Sequence, residues 1–172
     1  MRASDLPESE YHPYYKPYID ALGDEDLFLS LSNGLLVMEN FINQLPEGKL
    51  DFSYGPDKWT IAEVLIHLID TERIFQYRAL RFYRNDKMEL CGFDQDEYVI
   101  ECEAAGKSKN QILQEYSTVR KATIALFQSF KKDALNRMGK ASGTPMSVRA
   151  LGLMISGHQK HHFKIIEKRY LV

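Results

Sequence analysis

The sequence predicts an all-α protein, a four-helix bundle, on three observations. Four stretches carry apolar residues at three- and four-residue steps, turn residues separate them, and no strand-like alternation of useful length appears between them. Helix packed on helix is the architecture that buries four such stripes.

The first stretch runs from about Asp24 to Leu45, with Leu27, Leu31, Leu35, Met38, Phe41, Ile42 and Leu45 on one side, and Pro46 and Gly48 stop it. Past Gly55 and Pro56 the run WTIAEVLIHLIDTERIFQYRALRFYR restarts the pattern. Thr60 is its N-cap, and Glu63 stands at the capping-box spacing. Ser108 caps a third helix, expected to reach about Arg137, with Ile112, Tyr116, Val119, Thr123, Phe127 and Phe130 inward and Gly139 and Gly143 ending it. Ser147 opens the fourth, which runs almost to the end of the chain. Residues 1–20, with Pro7, Pro13, Pro17 and four tyrosines, read as an extended arm without a helix. The segment NDKMELCGFDQDEYVIECEAAGK has no sustained period and reads as a long connection with room for a helical turn of its own.

A chain of 172 residues with 44% apolar and 27% charged side chains fits a single domain over 1–172 with a real core. The net charge of -2 offers no extended phosphate track, so no nucleic acid is expected as a partner. The cluster Tyr77, Arg78, Arg81, Phe82 and Tyr83 reads accordingly as packing and pairing within the bundle. No apolar run approaches the roughly 20 residues that span a bilayer, and the first residues lack a secretory signal's apolar core. A cytoplasmic protein without membrane attachment is expected, with Cys91 and Cys102 as free thiols.

The chemistry lies in the histidines. On the fourth helix Leu151, Met154, Ile155, Ile165 and Ile166 form the apolar stripe, and His158 and His162 fall in its middle, four apart and able to reach one ion. His161 lies about 60° off the stripe and is the weaker candidate. Buried unpaired polar groups cost roughly 1 to 3 kcal/mol each, so the two rings need partners: a metal ion, or carboxylates and water. His67 sits on the shoulder of the second helix's stripe, where a partly exposed histidine is the commoner outcome. Glu63, one turn before it, is placed either to receive the His67 ring N–H or to serve the cap alone. Glu72 falls mid-stripe and needs a donor, with Arg149, Arg78 or a tyrosine as candidates.

The stretch WTIAEVLIHLIDTERIFQYRALRF, followed by GFDQDEYV and then SVRALGLMISGHQKHHFKIIEKRY, resembles the DinB-like superfamily of DinB/YfiT-like metalloenzymes. The resemblance covers nearly all the chain after the arm. It implies an up-down-down-up bundle with a long crossover connection, a metal site of His67, His158 and His162, and a homodimer. It also implies a thiol transferase or isomerase that uses a low-molecular-weight thiol and an electrophilic substrate.

Three neutral imidazoles leave a coordination position open, the ligand count of catalytic zinc sites. Zinc and nickel both suit such a set. The first expectation is a divalent-metal-dependent enzyme that activates a small-molecule thiol for S-transfer or isomerisation. The alternatives are a metal-dependent hydrolase, with Glu63 and Gln159 as the nearest bases, and a non-catalytic metal-binding or stress-linked bundle.

Overall fold

The computed structural model describes residues 1–171. Four long helices, α2 (Leu27–Gln44), α3 (Ile61–Tyr83), α5 (Lys109–Gln128) and α6 (Val148–Arg169), build a bundle, joined by the short helices α1 (Lys16–Asp20) and α4 (Gln95–Ile100). A two-stranded antiparallel hairpin, β1 (Met138–Ala141) and β2 (Thr144–Ser147), precedes α6. Among the described residues no helix is long and apolar enough to cross a membrane.

The helix starts lie where the caps are. Asp26 accepts from the backbone N–H groups of Phe28 and Leu29 at the head of α2, one turn inside the expected start at Asp24. Thr60 and Glu63 close a reciprocal capping box on α3, as Ser108 and Gln111 do on α5, and the Ser147 hydroxyl accepts from Ala150 N–H on α6. α3 and α6 lie side by side, and each also packs against one of the other two: α3 on α5, α6 on α2. Two apolar clusters fill the interior. One gathers Leu27 and Leu31 of α2, Phe75 and Phe82 of α3, Phe127 of α5, and Leu151 and Ile155 of α6. The other gathers Met38 and Ile42, Ile61 and Leu65, Ile112 and Tyr116, and Phe163 and Ile166 from the same four helices.

Three expectations are corrected. The third helix stops at Gln128, well short of Arg137, because Gly139 and Gly143 serve a hairpin. A Cβ at Gly139 would stand 2.0 Å from the Phe82 ring, and Ser142 and Gly143 both take positive φ (52° and 76°) in the two-residue turn. Four-residue strands are too short to announce themselves by alternation. The arm is not extended: it folds into three 3-10 turns and α1, which packs on α6. Gly157 admits it, since a Cβ there would meet the Tyr18 carbonyl oxygen at 2.0 Å. Arg149 pairs with Glu10 of the arm (Nε to Oε2, 2.7 Å) and not with Glu72.

Glu72 instead meets Arg120 of α5, which donates through Nε at 2.8 Å and Nη2 at 2.9 Å, while the Thr123 hydroxyl donates at 2.7 Å. Both charges are buried, Arg120 at 1% and Glu72 at 3% exposure. Removing one partner strands the other, so Arg120→Met is expected to cost about 3–5 kcal/mol in urea unfolding, and replacing both residues by methionine to cost less than that single change. A larger loss in the double variant would show that the pair itself, and not the stranded carboxylate, carries the stability.

Glu10 provides a pH-dependent tie. Burial raises its pKa, but hydrogen bonds from Arg149 and Ser147 and the Arg149 charge outweigh it and hold the carboxyl below its ordinary 4.5. The contribution is complete above that value and vanishes as the pH falls through the lowered folded value. Wild type should exceed Glu10→Gln in urea midpoint at neutral pH, with the gap closing on acidification; a gap that persists in acid would contradict the assignment.

Candidate metal centre

His67 leaves the second turn of α3, and His158 and His162 leave one face of α6 a single turn apart. The expected shoulder position of His67 turns out to be buried, because α3 inserts between α5 and α6 and covers a wide arc of its surface. His67 Nε2 stands 3.1 Å from His158 Nε2, which stands 2.9 Å from His162 Nε2. The ligand atoms of all three lie within 4.8 Å of one another. Trp59 packs on the His67 ring (centroids 4.9 Å apart) and Tyr18 on the His158 ring (5.0 Å), so neighbouring aromatics hold both.

Burial pushes the pKa of His67 down to about 4. Burial, with His67 and His161 nearby, takes His162 to about 3, and His158 is lowered well below its ordinary value by burial and then by the other three histidines. All three rings are therefore neutral near pH 7. A neutral imidazole Nε2 carries either one hydrogen or one lone pair. His158 Nε2 nonetheless faces two other ring nitrogens, so one donor or acceptor valence is asked to satisfy two contacts. A cation resolves this conflict, because three lone pairs aimed at one point are what it requires. Nitrogens about 2.0–2.1 Å from a shared zinc are about 2.9 to 3.4 Å apart for angles of about 90° to 109°, and both short separations fall in that range.

The other candidates are placed elsewhere. His161 lies outside the group, half-buried against Tyr18 and the edge of His162. Glu63 spends its Oε2 on the Thr60 N–H and hydroxyl, and the atom that faces His67 Nδ1 is Thr71 Oγ1, at 3.5 Å. Gln159 faces away: its amide nitrogen donates to the Gly34 carbonyl (3.0 Å) and its oxygen accepts from the Tyr116 hydroxyl (2.7 Å).

A cavity of about 240 Å³ opens beside the histidines, lined by His67 and His158 together with residues of the arm (Tyr14, Tyr15, Tyr18), of α3 (Thr71, Phe75, Arg78), of the crossover (Phe93, Gln95) and of the hairpin (Ser142). The arm and hairpin contributions were not readable in the sequence, because neither segment has a hydrophobic period.

A helical bundle with three convergent, neutral histidines, two of them buried and lining a cavity, defines a candidate metalloprotein with room for a small molecule. The chain belongs to the DinB superfamily, whose sequence model matches residues 36–166. Its fold is similar to that of YfiT from Bacillus subtilis, with a TM-score of 0.70 at 15% identity over 95% of this chain and 92% of that one. YfiT is described as a probable metal-dependent hydrolase with an unusual four-helix bundle topology; at this identity the likeness is one of fold. No curated protein matches the sequence.

Metal content discriminates among the histidines. Purified His158→Ala is expected to lose most of its bound metal and His161→Ala to keep it, as measured by plasma mass spectrometry; equal metal in the two variants would refute the assignment.

Proposed function

We propose that this protein is a divalent-metal-dependent enzyme that activates a low-molecular-weight thiol for S-transfer or isomerisation, with His67, His158 and His162 holding zinc or nickel. The observation that carries this reading is the pairing of three neutral, convergent imidazoles with an adjoining cavity that no carboxylate lines. A divalent ion held there supplies an open coordination position, which lowers the pKa of a thiol or water placed on it. A thiol, once ionised, is a nucleophile without further help, whereas hydrolysis is aided by a positioned base, and the two candidates that the sequence offered are engaged elsewhere: Glu63 in its cap, Gln159 with Gly34 and Tyr116.

The remaining roles belong to the chain itself. Thr71 faces the far nitrogen of His67, and Trp59 and Tyr18 restrict the rings that point at the metal position. Tyr15, Phe75 and Phe93 give the cavity aromatic walls that exclude water from an organic substrate. The up-down-down-up order with a long crossover belongs to the same reading. It is supported by the two apolar clusters, each of which joins the starts of α2 and α6 to the ends of α3 and α5, or the reverse. The second reading, a metal-dependent hydrolase, draws on the description of YfiT.

The two part in one assay. With zinc or nickel bound, the protein should speed the consumption of 1-chloro-2,4-dinitrobenzene by bacillithiol, mycothiol or glutathione, and chelation should abolish the effect. Ionising a thiol of pKa about 8.5 fully at pH 7 raises its thiolate fraction about 30-fold, which sets an upper limit on that gain in rate. Hydrolysis of 4-nitrophenyl acetate without any thiol, together with no thiol dependence across the panel, would favour the hydrolase instead.

A further inference from the structure

Arg78 is the unexplained charge of the cavity. It lies at 2% exposure on α3, and a guanidinium is always protonated in proteins. Its Nη2 donates to two neutral oxygens, the Cys91 carbonyl at 3.1 Å and the Ser142 hydroxyl at 2.8 Å. Tyr15 is the other polar neighbour, and it is neutral too. Among the described residues no carboxylate pairs with Arg78, and none lines the cavity. Arg120, fully buried one helix away, has its carboxylate in Glu72.

Ser142 adds an independent observation. It holds φ at +52° in the β1–β2 turn, a position that favours glycine or asparagine and costs a serine on the order of 1 kcal/mol or more. That turn carries its side chain to the cavity wall, where the hydroxyl oxygen accepts from Arg78. The hydroxyl hydrogen is left to donate to something else.

We propose that Arg78 and Ser142 form an anion subsite that takes a carboxylate at the far end of an elongated substrate whose other end meets the three-histidine centre. The subsite deepens the function proposed above and relies on it for the metal end alone. His67, Thr71, Phe75 and Arg78 follow one another at steps of four, four and three residues along one wall of the cavity. Eleven residues of helix separate the Cα atoms of His67 and Arg78 by about 16 Å, and the arginine side chain leans back toward the histidines and shortens that span. A substrate that touches both ends is therefore a chain of several bonds with an anionic terminus, and its aliphatic middle faces Phe75 and the arm tyrosines. With Nη2 committed to Cys91 and Ser142, the Nε–H and Nη1 hydrogens remain to meet a carboxylate in single charge-assisted bonds, and the Ser142 hydroxyl adds a further donor. If Arg78 served only to tie the crossover at Cys91 to the hairpin, a neutral donor would do so without burying a charge.

The test separates the anion subsite from thiol chemistry by using hydroxamate, a general metal-binding group, as the anchor. Zinc-loaded protein is titrated calorimetrically with alkyl hydroxamates of about four to seven methylenes that end either in a carboxylate or in the matching carboxamide. A charge-assisted pair is worth about 1.5–3 kcal/mol, so at the best-fitting length the carboxylate should bind about tenfold or more tighter than the amide. Arg78→Gln should abolish the preference with zinc content unchanged, and Arg78→Lys should retain part of it. Ser142→Gly, which relaxes the turn, should keep or raise the melting temperature yet weaken the preference several-fold, a split that a purely structural serine would not produce. Equal affinity for carboxylate and amide at every length, or a preference that survives in Arg78→Gln, would overturn the proposal. A protein that takes up no zinc defeats the metal reading alone. The subsite is then judged by hexanoate against hexanamide, where only hexanoate should move the Arg78 Nε–H resonance and no response to either would overturn it.

Discussion

The rotation of α6 about its own axis is the constraint on which the site depends. Successive residues on a helix diverge by about 100°, so His158 can face α3 only if Gln159 faces α2 and α5. Gln159 is fixed there by both ends of its amide, with its nitrogen on the Gly34 carbonyl and its oxygen under the Tyr116 hydroxyl, which also reaches Gly34. A Cβ at Gly34 would fall 1.9 Å from Arg120 Nη1 and 2.8 Å from Gln159 Oε1. The missing side chain on α2 thus lets a buried polar layer form across the bundle, and that layer turns the histidine face of α6 toward His67.

Packing on the opposite side of α6 completes the clamp. Gly157 lets the arm backbone lie directly on the helix, and the ring of Tyr18 reaches His158 and His161. An arm is thereby converted into a wall of the cavity. Glu10 on Arg149 anchors its earlier part near the start of α6, so the chain before the bundle shapes the same cavity as the metal position.

The sequence revealed whatever is written in helical period or in capping chemistry. Thr60, Ser108 and Ser147 stand at the heads of their helices, and the pair at positions 158 and 162 shares a face because four residues make one turn. His67 was ambiguous because an amphipathic stripe marks the centre of a buried face and not its width; contact with both α5 and α6 makes the shoulder an interior position. Partners distant in sequence were not legible. Arg120 was missed for Glu72 because a pair 48 residues apart depends on how α3 and α5 dock, and Thr71 displaced Glu63 at the His67 ring because the capping box had already claimed the carboxylate. The hairpin was hidden by its glycines, which end a helix and turn a strand with equal ease.

Two arginines on neighbouring helices show how the same cost of burial has two resolutions. Arg120 is surrounded by the Glu72 carboxylate, the Leu31 carbonyl and the face of Tyr116, so its charge is spent inside the fold and holds α3, α5 and α2 together. Arg78 has only neutral oxygens, and burial drives its pKa down with no carboxylate to offset the effect. A fold that neutralises one buried guanidinium so fully has the means to neutralise the other. Leaving the second unpaired, beside a serine held in a strained turn and along a cavity that His67 and His158 also line, puts a fixed positive charge where an incoming anion is the partner still missing.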